Sequence, residues 1–439
     1  MKYFFSLLLL LVSALSFAEE RELVIIHTND FHGHIKEEKN YAGAARIAAF
    51  VKKQRAAYDG VLFMDAGDSI SGTPVSTMFN GIPIFTVMNA MQYDIGLIGN
   101  HEFDHGFRQI EKFKVIANQP LLGANSFDPD GDLIADTASV VKVINGIRVG
   151  VIGVVSDYTP RMITPSGNEG LRFEAPIETL LREVPKLRRQ ADVIVVLSHI
   201  GHREDKLLAS KVRGIDLIVG GHSHTLVEQP VKVGNTWIVQ ANEYGSHVGV
   251  VNMSVDITEG TVTELRGRLV PAKDLPDPDL AVLAVVNTFE EQVEQQVDIE
   301  IATSNKTYEK DELQALFEAA MTDVAKADFG YYNRGGIRDV IRKGPVAIRD
   351  IWNIEPFGNT LVSLKIKGSD YLVLISQSSF VHPTAEKIEA DRTYTVATNS
   401  FIGAHAEKAF GEDVELRDLG VLIRDVLIDH IKENPGAFQ

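Results

Sequence analysis

Six short aliphatic runs in the first part of the chain end in polar, mostly glycine-containing loops. They are ELVIIHTND (22–30), GVLFMDAGD (60–68), DIGLIGNHE (94–102), IRVGVIGVVSD (147–157), ADVIVVLSHIGH (191–202) and IDLIVGGHSH (215–224). Five of them end in groups able to bind a metal: Asp30 and His32, Asp68, Asn100 with His101, His199, and His222 with His224. Any one of these is weak evidence, because an aspartate after glycine often only caps a helix. Five such clusters at corresponding places point to one shared site. The run at 147–157 ends in Asp157 without a histidine and is left outside that site. The chain has no cysteine, which excludes thiolate ligands and a cysteine nucleophile. That many His, Asp and Asn groups are too many for one tetrahedral metal and suit two ions if one carboxylate bridges. Asp and His accept Zn²⁺, Mn²⁺, Fe or Co²⁺. Two such ions about 3.5–4 Å apart share a hydroxide and stabilise both oxygens of an in-line displacement at phosphorus.

The elements that position these residues follow from the spacing of apolar residues. The runs are apolar on both faces, as strands of a sheet covered on both sides are. Helical patterns separate them, for example AARIAAFVKKQRAA (44–57) and PIETLLREVPKLRRQ (176–190), so the segment reads as a layered α/β domain. Parallel strands put their carboxyl ends on one side, where ligands distant in sequence converge. TWIVQANEYGSHVGVVNMSVD (236–256) predicts two adjacent antiparallel strands. The Pro- and Asp-rich stretch at 270–283 marks a domain boundary, and 277–297 predicts one helix capped by Asp277 or Asp279. Beyond it, helices are expected at 312–326, 368–379 and 417–432, with strands at 360–366 and 393–398.

A chain of 439 residues predicts two domains. The net charge of −17 argues against a general binder of nucleic acid duplexes, which needs a basic face. The first residues combine Lys2, an apolar stretch from Phe4 to Phe17 and Ser16-Phe17-Ala18 at a cleavage site. They predict a signal peptide over 1–18 and an exported product, periplasmic or secreted. The apolar stretch is short for a spanning helix. An uncleaved anchor is the alternative, and no other stretch is long and apolar enough to span.

The motifs DFH (30–32), GD (67–68), GNHE (99–102), SH (198–199) and GHSH (221–224), in this order, resemble the calcineurin-like metallophosphoesterases. HTNDFHGHI (27–35), GNHEFDHG (99–106) and QANEYG (240–245) narrow the resemblance to the 5′-nucleotidase family, as do NRGGIR (333–338) and PFGNTL (356–361). The resemblance implies a four-layer β-sandwich flanked by helices, plus a smaller α/β C-terminal substrate domain. The expected organisation is a catalytic domain over 19–272, a linker and connecting helix over 273–300, and a substrate domain over 301–439. It implies that Asp30, His32 and His224 hold one divalent ion, that Asn100, His199 and His222 hold the other, and that Asp68 bridges them. The ions expected are Zn, Mn or Co. His101 is implied to face the phosphoryl oxygens and Asp104 to orient it and keep it cationic. The alternative for Asp104 is a helix N-cap. Glu102 is expected to tie the loop together, and His34, His105 and His202 to belong to loop packing or outer support. Asn333 and Arg338 are implied to meet the base or phosphate, Asn359 the base edge, and Phe357 and Phe401 the two faces of a stacking clamp. Plain core is the alternative for either ring.

Two stretches depart from the family pattern. After Phe401 the chain reads FIGAHAEKAFG (401–411), without the usual Gly-Gly-Asp-Gly-like turn, so His405 or Glu407 would have to meet the ribose. An Arg-bearing stretch is replaced by IATSNKTYEKDELQALFEAAM (301–321). The expectation is an exported two-metal phosphohydrolase that releases phosphate from nucleotides by in-line attack of a metal-bound hydroxide. The alternative is the same site acting on a 2′,3′-cyclic nucleotide, a UDP-sugar pyrophosphate or a sulfur-linked sulfonate. A non-catalytic metal-stabilised binding protein is a third reading. It is disfavoured by the intact ligand set together with His101.

Overall fold

A computed structural model describes residues 19–163, 170–376, 388–406, 410, 414–434 and 438. The signal-peptide expectation, the end of the 368–379 helix and Glu407 lie outside these residues.

Alternation along one strand sets the architecture. In Glu20–Thr28, Leu23 and Ile25 point into one apolar core and Val24 and Ile26 into another. A strand buried on both faces needs a layer on each side. One layer is a second sheet. The first sheet has the order Thr261–Pro271, His247–Asp256, Glu20–Thr28, Val61–Asp65. The second has the order Val231–Val233, Thr236–Val239, Leu217–Gly220, Val193–His199, Ile147–Val155, Ser139–Ile144. Leu62 and Met64 from the first meet Val195, Leu197 and Val219 from the second in the core between them. Helices Gly43–Ala57, Ile82–Met91 and Leu280–Val297 cover the outer face of the first sheet. Helices Pro176–Arg188 and His202–Lys211 cover the outer face of the second. This is the helix–sheet–sheet–helix sandwich that the resemblance implied.

The strands of the expected hairpin at 236–256 do not pair. Thr236–Val239 lies in the second sheet and His247–Asp256 in the first. The connection turns through left-handed backbone at Asn242, Tyr244 and Gly245 (φ 62°, 58° and 68°). It bridges the sandwich edge instead of closing a hairpin. Apolar alternation defines a strand's two faces but not which sheet it joins.

Helix Leu280–Val297 is capped by Asp279, whose carboxylate accepts from the N–H of Ala281 (3.0 Å) and Val282 (3.3 Å). Val282, Val286 and Val293 seat it on the first domain's core. Beyond it, a four-stranded sheet has the order Phe329–Gly330, Thr393–Asn399, Thr360–Lys367, Glu415–Leu422. Helices Lys310–Ala325 and Ile423–Glu433 cover one face and Gly368–Ser376 the other. The helix expected over 417–432 is therefore half strand. Residues 415–422 pair antiparallel with Thr360–Lys367, pinned by Lys365–Glu415 (2.9 Å), and Gly420 takes φ 71°. Leu416, Leu419 and Leu422 have helical spacing, but pairing with the free sheet edge wins over it.

The two domains meet along short contacts. Thr77 Oγ1 donates to the Pro356 carbonyl (3.1 Å), and Trp352 packs on the first domain's core. Arg349 joins buried Glu290 (2.8 Å) and Asp298 of the connecting helix.

Candidate active site

The loops after the strands turn their side chains inward by adopting left-handed backbone at non-glycine residues. Asp30, His32, Asp68, His222 and His224 have φ of 50°, 49°, 54°, 74° and 50°. Each such residue costs roughly 1–3 kcal/mol and persists only where its surroundings fix it. Here the fixing is mutual: Asp30 N–H donates to the Gly67 carbonyl (3.0 Å) and His32 N–H to the Asp68 carbonyl (2.9 Å). Two glycines allow the close approach. A Cβ at Gly99 would collide with Asp68, and one at Gly221 would stand 2.7 Å from His199 Nδ1.

Seven of the residues singled out for a metal or for catalysis fall into three overlapping groups. These are Asp30, His32 and His224; His32, Asp68 and His101; and Asp68, His199 and His222, with ligand atoms of each group within 4.8 Å of one another. The first and third groups draw on loops from both sheets. Asn100 joins through Oδ1, 2.8 Å from His222 Nδ1. Hydrogen bonds fix which ring nitrogen faces inward. His32 Nδ1 donates to the Ser71 carbonyl (2.7 Å) and His199 Nδ1 to the Ala66 carbonyl (2.8 Å). Both therefore present Nε2 to the carboxylates, with His199 Nε2 2.9 Å from Asp68 Oδ2 and 3.8 Å from Asp30 Oδ1.

The electrostatics of this cluster call for a cation. Burial opposes charge on His199, yet the carboxylates of Asp68 and Asp30 outweigh it and push its pKa up to about 10. Burial likewise works to neutralise Asp68, but His199 and His101 hold it well below the usual carboxylate range. His222 is pushed down to about 4 by burial and by His199, so it is neutral, as a ligand must be. Imidazole nitrogens turned toward buried carboxylates fit a divalent ion, which would take the place of the proton that His199 holds between Asp68 and Asp30.

His101 and Glu102 divide their tasks. His101 Nδ1 donates to Asp104 Oδ2 (2.7 Å), and its Nε2 lies 3.9 Å from Asp68 Oδ2. Burial disfavours its charge, but Asp104 and Asp68 together raise its pKa. Asp104 is not the helix cap, because the following helix begins at Phe107 with Gly106 before it. Glu102 is 1% exposed and accepts from the N–H of Gly99 (2.7 Å), Ser69 (2.8 Å) and Asp68 (3.1 Å), so it binds together two loops that carry candidate ligands.

A cavity of about 290 Å³ opens onto these groups. Asn100, His101, Asp104 and His222 line it from the first domain, and Asn333, Arg338, Phe357, Asn359 and Phe401 from the second. Arg338 Nη2 reaches His32 Nε2 (3.1 Å), and the Phe357 ring stacks on His101 (5.5 Å, 19°). Asn333 Oδ1 accepts from Asn399 Nδ2 (2.7 Å). Asn359 Nδ2 donates to Glu355 Oε1 (2.8 Å), so that amide is engaged within the protein.

Residues 23–226 match the calcineurin-like phosphoesterase family and residues 285–379 the 5′-nucleotidase C-terminal domain. Snake venom 5′-nucleotidase from Gloydius brevicauda is 30% identical over 426 residues, spanning 82% of this chain and 72% of that protein. The chain belongs to the 5′-nucleotidase family of calcineurin-like phosphoesterases. Protein UshA of Yersinia enterocolitica is 28% identical over 421 residues, spanning 81% of this chain and 76% of the relative. The crystal structure of a 5′-nucleotidase precursor from Thermus thermophilus superposes with a TM-score of 0.83 at 26% identity, over 94% of this chain and 96% of that one. A 5′-nucleotidase family member with His and Asp groups able to bind metal is a metal-dependent phosphoester hydrolase.

Sequence reasoning missed three parts of this phosphoesterase site. Glu243 contacts His224 Nδ1, and a carboxylate behind a ligating imidazole orients it and raises its basicity. It lies within QANEYG, a motif without ligand spacing. Arg161 and Met162 line the cavity although the run at 147–157 was left out. The turn Thr159–Arg161 after that strand carries them to the wall, and a search for metal-ligating residue types does not find them. Tyr244 stacks on His34 (4.3 Å), which places His34 in loop packing.

Proposed function

We propose that the protein is an exported two-metal phosphohydrolase that releases phosphate from nucleotides, with a catalytic domain over 19–272, a connecting segment over 273–300 and a substrate domain over 301–439. The observation that carries this reading is the single cavity that joins His101 and Asn100 to Arg338, Phe357 and Phe401. Asp30, His32 and His224 would hold one ion, Asn100, His199 and His222 the other, with Asp68 between them. Ions bound there supply Lewis acidity and a nucleophile at neutral pH. The chain's own groups do the rest. Arg338 offers a planar guanidinium to a phosphoryl oxygen. His101, kept cationic by Asp104, donates a proton toward the leaving oxygen. Phe357 and Phe401 present ring faces to a base, and Asn333 offers its amide nitrogen. Similarity to UshA and to 5′-nucleotidases supports a nucleotide substrate. The leader pattern at 1–18 supports export.

A second reading keeps the site and changes the ester to a 2′,3′-cyclic nucleotide, a UDP-sugar or a sulfur-linked sulfonate. It is favoured by the engaged amide of Asn359 and by Phe401 being followed by His405, whose Nδ1 donates to the Phe401 carbonyl (2.8 Å). The test is ester hydrolysis by metal-depleted mature protein after Mn²⁺, Zn²⁺ or Co²⁺ is restored, read as phosphate from AMP, UMP and glucose 1-phosphate from UDP-glucose, a nucleoside monophosphate from 2′,3′-cyclic AMP, p-nitrophenol from bis(p-nitrophenyl) phosphate and sulfate from a cysteine S-sulfonate. The panel is AMP, UDP-glucose, 2′,3′-cyclic AMP, bis(p-nitrophenyl) phosphate and cysteine S-sulfonate. Preference for AMP supports the first reading, and preference for another ester supports the second. Silence on all with metal bound sinks both.

A further inference from the structure

The chemistry above leaves the side chain of Tyr244 unused. It is 4% exposed and has φ 58°, where a bulky residue is an outlier. Contacts on every side hold it there. Its N–H donates to the Asp30 carbonyl (2.8 Å). Its ring stacks on His34 (4.3 Å, 27°) and meets Tyr41 edge-on (5.4 Å, 89°). The same ring lies edge-on to His32 (5.6 Å) and near-perpendicular to His224 (5.7 Å). Its hydroxyl crosses to the second domain and donates to the carbonyl of Arg338 (3.2 Å). Arg338 has a second tether within its own domain, from its N–H to the Ile354 carbonyl (2.9 Å). Its guanidinium then reaches His32. Packing alone needs only the ring. Among the described residues the hydroxyl's hydrogen bond goes to the Arg338 carbonyl, and it ties that backbone to the loop that carries Asp30.

We propose that Tyr244 is a positioning residue for Arg338: its hydroxyl couples the metal-binding loop of the first domain to the anion-facing guanidinium of the second. The proposal rests on the reading of Arg338 as the residue that meets a phosphoryl oxygen. Strain at Tyr244 fits this role, because a relaxed backbone would swing the ring out of the His34–Tyr41 slot and break the tie.

Tyr244→Phe keeps the ring and removes only the hydroxyl. The experiment measures inorganic phosphate affinity by calorimetry, kcat/KM on AMP and bound metal. It uses the metal-loaded full mature chain as wild type, Tyr244→Phe, Arg338→Ala and the double variant. The expected result is a three- to tenfold weaker phosphate affinity for Tyr244→Phe, about the worth of one neutral hydrogen bond, with metal content unchanged. On the Arg338→Ala background the same change has no further effect, since coupled residues are non-additive. An equal loss on both backgrounds, no loss on either, or lost metal overturns the proposal. Wild type that binds phosphate in this pattern but hydrolyses no ester overturns the functional reading and leaves the positioning role standing. Wild type that neither binds phosphate nor turns over overturns both.

Discussion

Asp68 and His101 are neighbours whose removal should fail in opposite ways. Asp68 reaches His199 and His32 from one carboxylate, so Asp68→Ala should abolish metal binding, read by metal analysis after dialysis. His101 hangs from Asp104 at the cavity wall. His101→Ala should retain metal while kcat falls about 10²- to 10⁴-fold, the usual worth of a general acid. Metal loss in His101→Ala would show that it ligates instead. The ligand types and the strand-end spacing made these residues legible, because metal chemistry needs particular side chains. Glu243 and Arg161 were not legible. One lies behind the candidate ligand His224 and the other lines a wall, and neither place constrains sequence spacing.

At the scale of elements, Asp205 in the helix His202–Lys211 lies against the strand Val193–His199. It accepts from Ser198 Oγ (2.6 Å), while Oδ2 is buried without a hydrogen-bond partner among the described residues. Burial pushes this carboxyl up to about 7, against about 3.9 in an unfolded chain. Between those values the folded state holds a proton that the unfolded state has lost. Stability therefore falls as pH rises from about 4 to about 7, by up to about 1.4 kcal/mol per pH unit. Urea unfolding at pH 5 and pH 8 should show a smaller loss for Asp205→Asn than for wild type, and equal losses would refute the assignment. Asp279→Ala should cost about 1 kcal/mol through the lost N-cap of the connecting helix, read in the same assay. Most helices and strands followed from apolar periodicity. The exceptions, 236–256 and 415–422, are places where partner choice between sheets or edges decides, and periodicity is silent on partners.

For the whole molecule, the functional cavity lies where the two domains meet, so integrity of both is needed for turnover. Chelation should abolish phosphate release and lower the melting temperature, and Mn²⁺, Zn²⁺ or Co²⁺ should restore both. Binding to the folded state alone stabilises by about 4 kcal/mol at a thousandfold excess over Kd. A melting temperature indifferent to chelation would argue that the cluster binds no ion. No helix among the described residues is long and apolar enough to cross a membrane.

The candidate ligands come from both sheets: Asp30, His32 and Asp68 follow strands of one, and His199, His222 and His224 follow strands of the other. Between those sheets the core is apolar and directionless. Loaded with ions, the loops at the sandwich edge become a coordinate cross-link in a chain that has no cysteine for a covalent one. By loop-closure arithmetic, tying together segments about a hundred or more residues apart removes on the order of 4 kcal/mol of unfolded-state freedom. The reaction centre is then also the molecule's rivet, and a chelating environment would cost the protein its shape as well as its chemistry.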